Sequence, residues 1–331
     1  GLSASVVSGA GWLMGFVLLA LAATRLIEPL SRLFARPIVR GIQLGLGLLL
    51  IRSAWRLIRG PALFAGVSDL PAPLPPSTVH LALVGGAVTL LVLGLLWRRL
   101  PTVLLVLGFG LGAAIALGIP SVAGELRWGF HPPALVWPSL PDFASAALLL
   151  VVPQLPLTLG NAVVATADTA ERYFGPQAER VQPKALLTTM GLINLLAGLL
   201  GGMPVCHGSG GLTAHVRFGA RSGAAPLLIG GLCLTTALLL DGGVLPLLAL
   251  FPLPVLGVLL FYVGVQHGLL VAALRRPADW AVAGSVALIS LAAGNLALGF
   301  GVGVVAYWLP RVTISLKRRM FPPQPQTGEQ A

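Results

Sequence analysis

The sequence predicts an all-α polytopic membrane protein, and three observations carry that prediction. Of the 331 residues, 56% are hydrophobic and only 9% are charged. The apolar residues gather in blocks of about twenty, the length a helix needs to cross a bilayer. Between the blocks lie short runs with Pro, Gly and basic residues, the usual punctuation of helix ends.

In chain order the blocks are 6–26, 38–57, 79–97 and 103–119, then a polar loop, then 143–165, 185–200, 227–240, 253–274, 280–293 and 296–309. One stretch is left over, GGMPVCHGSGGLTAHVRFG at 201–219. Counted as a passage, it brings the total to eleven and runs the chain from an external N-terminus to a cytoplasmic C-terminus. Seventeen Lys and Arg, among them Arg40, Arg172 and Arg217, then fall on the cytoplasmic side, and four, Arg52, Arg56, Arg59 and Arg127, on the other. Such a bias is the positive-inside pattern, and it weakens if 201–219 does not cross. The formal charge of +11 is thereby explained by topology, and no nucleic-acid partner is implied. The two cysteines, Cys206 and Cys233, support neither a disulfide framework nor a four-ligand zinc site. The chain opens on Gly1 without the features of a signal peptide, so its native start is expected upstream.

Two short echoes recur in the same order. LFARPIV at 33–39 resembles LFPLPVL at 250–256, and LGFGLG at 107–112 resembles LGFGVG at 298–303. The topology inverts the members of each pair, which is the mark of an inverted repeat, an architecture common among secondary transporters. Leu33 and Leu250 stand 217 residues apart, and that offset puts the partner of the span at 143, and of the leftover stretch, ahead of residue 1. Roughly three spans, about 75 residues or more by this offset, are therefore expected to be missing from the front.

The leftover stretch is expected to break the helix. Pro204 disfavours a helical Met203, and the glycines let the backbone extend. From Ser209 a helix of about ten residues can form, roughly 15 Å long and half a hydrocarbon core. Ser209 is expected as its N-cap, with Gly208, Gly210 and Gly211 exposing amides. A helix start at mid-membrane needs a protein or watery surround, and its amides and dipole favour an anion. The dipole alone is worth about 0.3–2 kcal/mol, so Cys206, His207, Ser209 and the glycine amides are expected to act together. The preceding span supplies PQLPLTLGN, in which Gln154, Thr158 and Asn161 share one helical face by their spacing. Asn161 or Thr158 could equally bond a neighbouring backbone carbonyl. Gly198 and Gly202 form a GxxxG pair suited to helix packing. Cys206 and His207 make a poor metal site or catalytic dyad, because adjacent side chains of an extended segment point apart and no acid orients them. Asp168, Glu171 and Glu179 are expected in an interfacial connection.

The segments PQLPLTLGNAVVATADTAERYFG and GLLGGMPVCHGSGGLTAHVRFGARSG resemble the molybdate transporter family, a branch of the sulfate permease superfamily. PIVRGIQLGLGLLLI at 37–51 fits as well. The resemblance implies two inverted seven-span repeats divided into a core and a gate domain, with substrate held between opposed half-helices of the core. Residues 1–119 would then be the remaining four spans of the first repeat, 120–142 an external loop, 143–309 the second repeat with its half-helix near 208–219, and 310–331 a basic cytoplasmic tail. Molybdate is the expected substrate and sulfate the alternative. No enzyme activity, cofactor or metal is implied; the partners are the oxyanion and the lipid of a cell membrane, and a homodimer is compatible with the sequence. A dianion entering against roughly 150 mV, inside negative, faces about 7 kcal/mol, so coupled protons are expected. His207, with an unperturbed pKa of about 6.5, is the candidate carrier.

Overall fold

The computed structural model describes residues 2–24, 26–31, 33–65, 76–97, 102–117, 127–130, 132–133, 135–241 and 250–320. Arg25, Arg32, Arg98 and Arg99, and much of the loop at 120–142, lie outside them. The chain runs α1 (Ala4–Thr24), α2 (Ile27–Ser31), α3 (Arg36–Arg59), α4 (Pro76–Leu96), α5 (Thr102–Ala116), β1 (Arg127–Trp128) and α6 (Leu140–Arg180). It continues through α7 (Pro183–Leu199), α8 (Ser209–Arg217), α9 (Ala224–Leu239), β2 (Leu240–Asp241), α10 (Leu253–Ala273), α11 (Pro277–Ala293) and α12 (Leu296–Met320). Six of these helices are long and apolar enough to cross a bilayer. The two strands pair antiparallel over two residues each and tie the end of α9 to the loop before α6. The helix of α12 continues beyond Leu309 through Pro310, so the first part of the tail is helical.

α6 begins at a capping box, where the Ser139 hydroxyl accepts from the Asp142 amide and the Asp142 carboxylate accepts from the Ser139 amide (2.9 Å). Its middle is irregular, with π-helical turns at Ala147–Val151 and Thr158–Ala165 around Val152–Leu157. Pro153 and Pro156 explain this, since each lacks the N–H that an α-turn would use. The Thr166 hydroxyl bonds the Asn161 carbonyl (2.9 Å), serving an acceptor inside the second wide turn. The helix then continues through Thr166–Phe174 and ends in a 3-10 segment, Gly175–Arg180. Asp168 and Glu171 thus stand on a helix rather than in the connection expected for them.

The helices pack in two groups. α1, α6 and α7 form one, and α3, α4, α5, α10, α11 and α12 the other, with α8 between them against both α6 and α10. Within the first, α1 crosses α7 where Gly11 meets Gly198: a Cβ on Gly11 would lie 2.8 Å from the Gly198 Cα. The Ser8 hydroxyl donates to the Gly198 carbonyl there (2.6 Å). Gly198 is therefore a packing glycine, but its counterpart is Gly11 rather than Gly202, which lies beyond the end of α7.

Within the second group α3 and α10 run antiparallel and touch backbone to backbone. A Cβ on Gly47 would lie 2.7 Å from the Gly264 carbonyl oxygen, and one on Gly264 would lie 2.9 Å from that of Gly47. These two glycines are 217 residues apart, the same offset as the first sequence echo. The neighbouring contacts obey the same exchange: Gly47 approaches Gly268, and Gly264 approaches Ile51. A contact between equivalent residues of two repeats lies on the axis that relates them, so Gly47 and Gly264 mark the pseudo-two-fold axis of an inverted repeat.

Candidate functional site

The break expected after α7 is present, and it is held open by one side chain. Gly202–Gly208 has no regular structure. The Asn194 amide on α7 donates to the Val205 carbonyl (2.8 Å) and accepts from the Val205 amide (2.9 Å), satisfying both backbone groups of the extended segment. A segment in that state survives at membrane depth because its polar backbone is paired. α8 then starts at Ser209 and runs nine residues, about 14 Å by helix rise, to Arg217, whose guanidinium lies 5.6 Å from the centre of the Tyr173 ring.

Ser209 is the first helical residue rather than the cap. Gly208 takes the N-cap position in extended backbone, with no side-chain cap bond. The Ser209 hydroxyl is turned away, fully buried, and donates to Asn161 Oδ1 (2.6 Å) while lying 3.3 Å from His267 Nε2. The amide run of Gly208, Gly210 and Gly211 opens on a cavity of about 470 Å³, with Asn161 beside it and Leu46, Leu50 and Leu259 from α3 and α10 as the facing wall. A second cavity, about 390 Å³, lies behind the same glycines and is bordered by His207, Thr166 and His215. A larger one of about 650 Å³ lies along α6 and α7, but its lining of Asp168, Glu171 and Glu179 repels an oxyanion.

The other expected residues are scattered. Gln154 is exposed and Thr158 buried, and of the three polar residues of PQLPLTLGN it is Asn161 that lines the cavity. Each π turn shifts the side-chain face by one extra residue, roughly 100°, so the α-helical spacing does not hold. Cys206 is exposed. His207 is half-buried, with Nε2 3.0 Å from the Thr189 hydroxyl and its amide directed at the Met190 sulfur (3.4 Å).

Two polar clusters have no counterpart in the sequence reading. Buried His267 on α10 lies between Ser209 and Thr213 of α8, its Nδ1 3.0 Å from the Thr213 hydroxyl. Its one signal was a histidine inside the apolar run LPVLGVLLFYVGVQHG. Arg40, counted above on the cytoplasmic side, is 1% exposed within α3. It bonds both carboxylate oxygens of Asp168, its Nη2 lying 2.7 Å from Oδ1, and it donates to Gln43 (2.6 Å). Gln43 in turn donates to the Asp168 carboxylate (3.2 Å) and to the Thr169 hydroxyl (3.0 Å). A buried guanidinium needs such a partner, and a bidentate carboxylate is the best available.

Residues 146–266 match the family described as "Molybdate transporter of MFS superfamily". Molybdate transporter 1 of Arabidopsis thaliana is 30% identical over 361 residues, covering 98% of this chain and 76% of that protein. The chain belongs to the molybdate transporter family. The relatives it matches are transporters, not enzymes. Molybdate transporter 1 of Chlamydomonas reinhardtii is 41% identical over 211 residues, covering 62% of this chain but only 40% of that protein, so the family member described here spans less than half of that relative's length. Among solved structures, the murine Solute Carrier 26 family member A9 (Slc26a9) anion transporter in the inward-facing state superposes with a TM-score of 0.58 at 18% identity. It covers 94% of this chain and 53% of the mouse chain, and it identifies the fold as the inverted-repeat transporter fold on a multi-pass membrane protein.

Proposed function

We propose that this family member takes part in the secondary active uptake of an oxyanion, with molybdate as substrate. The observation that carries the reading is the start of α8: unobstructed glycine amides at a helix N-terminus, facing a cavity that Asn161 also lines. The names of the relatives supply the choice of molybdate among oxyanions. In this reading Gly208, Gly210 and Gly211 donate to the anion and Asn161 orients it. Cys206, His207, Gln154, Thr158 and Ser209 then act around the site rather than all at once on the anion. The core is α1 and α6–α9, the gate is α3–α5 and α10–α12, and transport is a rocking of one against the other with the C-terminus in the cytoplasm.

Coupling to protons offsets the electrical work of importing a dianion. His207 borders the second cavity and is one route for that proton. Labelled molybdate uptake by the full-length protein in proteoliposomes tests the reading: saturable uptake, stimulated by an inward proton gradient and lost on Gly210→Leu, is expected. Uptake unaffected by Gly210→Leu counts against the site, and stronger inhibition by sulfate than by unlabelled molybdate makes sulfate the substrate. Unchanged pH dependence in His207→Ala removes His207 as the carrier.

A further inference from the structure

The hydrogen bonds around His267 permit two arrangements that present different atoms to the cavity. The Thr213 hydroxyl donates to the Ser209 carbonyl (2.9 Å), so toward His267 it accepts, and Nδ1 carries a proton. The Ser209 hydroxyl has one proton and two polar neighbours, Nε2 of His267 and the side chain of Asn161. When Nε2 is bare, the Ser209 proton goes to it. Asn161 must then give its NH2 to Ser209 and turn its oxygen to the cavity. When Nε2 carries a proton, it donates to Ser209, Ser209 donates to Asn161 Oδ1, and the Asn161 NH2 faces the cavity. The second arrangement offers an anion a donor with a positive charge one relay behind it. The first offers an acceptor.

Resting on the oxyanion reading above, we propose that His267 is the proton-binding residue of the transport cycle, acting as a positioning residue that turns the Asn161 amide toward the anion through Ser209. His267 stands on the gate helix α10, while Ser209 and Asn161 stand on α8 and α6 of the core, so the relay exists only while gate and core are closed on each other. Release of the anion and of the proton therefore occur together when they part. The charged and titratable groups on the elements packed against α10 are Arg36, Arg40, Arg52, Arg56 and Arg59 on α3, His80 on α4, and His215 and Arg217 on α8. Of these, Arg40 is held in a bidentate pair by the Asp168 carboxylate on α6. A change with pH that His267→Gln abolishes is assigned to His267 itself.

The test is molybdate binding to the full-length protein in lipid nanodiscs between about pH 5.5 and 8.5, with proton uptake read by an indicator in weak buffer. Wild type should take up about one proton per molybdate, and its affinity should fall about tenfold per pH unit on the alkaline limb. His267→Gln offers a fixed donor near Nε2 and cannot titrate, so it should bind molybdate with a flat pH profile and no proton uptake. Thr213→Val removes the acceptor of Nδ1–H and should move the alkaline limb to lower pH, a readout that stands even if His267→Gln does not fold. Proton uptake that survives in His267→Gln, a flat wild-type profile, or an unmoved limb in Thr213→Val overturns the proposal and leaves the oxyanion reading in place. Absence of saturable molybdate binding by wild type at every pH overturns the oxyanion reading first.

Discussion

α3 makes two contacts of opposite character. Toward α10 it presents Gly47, so close to Gly264 that neither position has room for a methyl group, and the contact is made of backbone. Toward α6 it presents Arg40 and Gln43, which reach Asp168 and Thr169 through side-chain hydrogen bonds. Close glycine contact gains dispersion over many atom pairs and fixes two helices as one body. A few long polar side chains can separate and be re-solvated, and they specify one relative position while they hold. The difference makes α3–α10 a contact fixed by backbone shape and α3–α6 one in which polar partners add to an apolar cluster.

The comparison can be broken at either contact. Asp168→Ala leaves the Arg40 guanidinium buried without its counter-charge and should cost about 3–5 kcal/mol in denaturant unfolding in micelles. The double variant Arg40→Met with Asp168→Leu should recover most of that loss, since apolar pairs of similar size often replace buried ion pairs without penalty. A neutral Asp168→Ala would remove the polar contact from the picture. Gly47→Val should cost about 1–3 kcal/mol through overpacking, and Gly264→Val should match it because the two positions are equivalent. Unequal effects would argue against an axis there. Asn194→Ala should cost about 1–3 kcal/mol by orphaning the backbone groups of Val205, with faster hydrogen exchange at the Val205 amide as the local readout. The smallest effect is expected from Ser8→Ala, about 0.5–1.5 kcal/mol, because the glycine packing of α1 on α7 remains.

Much of the fold was legible in the sequence, and the reason is that a bilayer simplifies the code. Blocks of apolar residues marked most of the long helices within a few residues, although α6 runs on to Arg180 and α12 to Met320, and Pro204 with the flanking glycines marked the break and the short α8. The partners of polar residues were not legible. Arg40 and Asp168 are 128 positions apart, and Ser209 and His267 are 58 apart, with no local pattern linking either pair. Asp168 was read as interfacial because ADTAERYFG is polar; burial of its partner depends on which helix crosses there, which is a tertiary fact. The grouping of Gln154, Thr158 and Asn161 failed for a different reason. It assumed the α-helical period through a segment where two prolines force wider turns.

The contact of Gly47 with Gly264 carries one more consequence. At every other position of an inverted repeat, a residue and its counterpart sit in separate neighbourhoods and can drift apart independently. On the axis each is the other's surroundings, so the space lost by one is lost by both. In any assembly made of two identical halves, a single change at that point would be felt twice in the same place. The two positions are thus expected to stay small together long after the rest of the two halves have ceased to resemble each other.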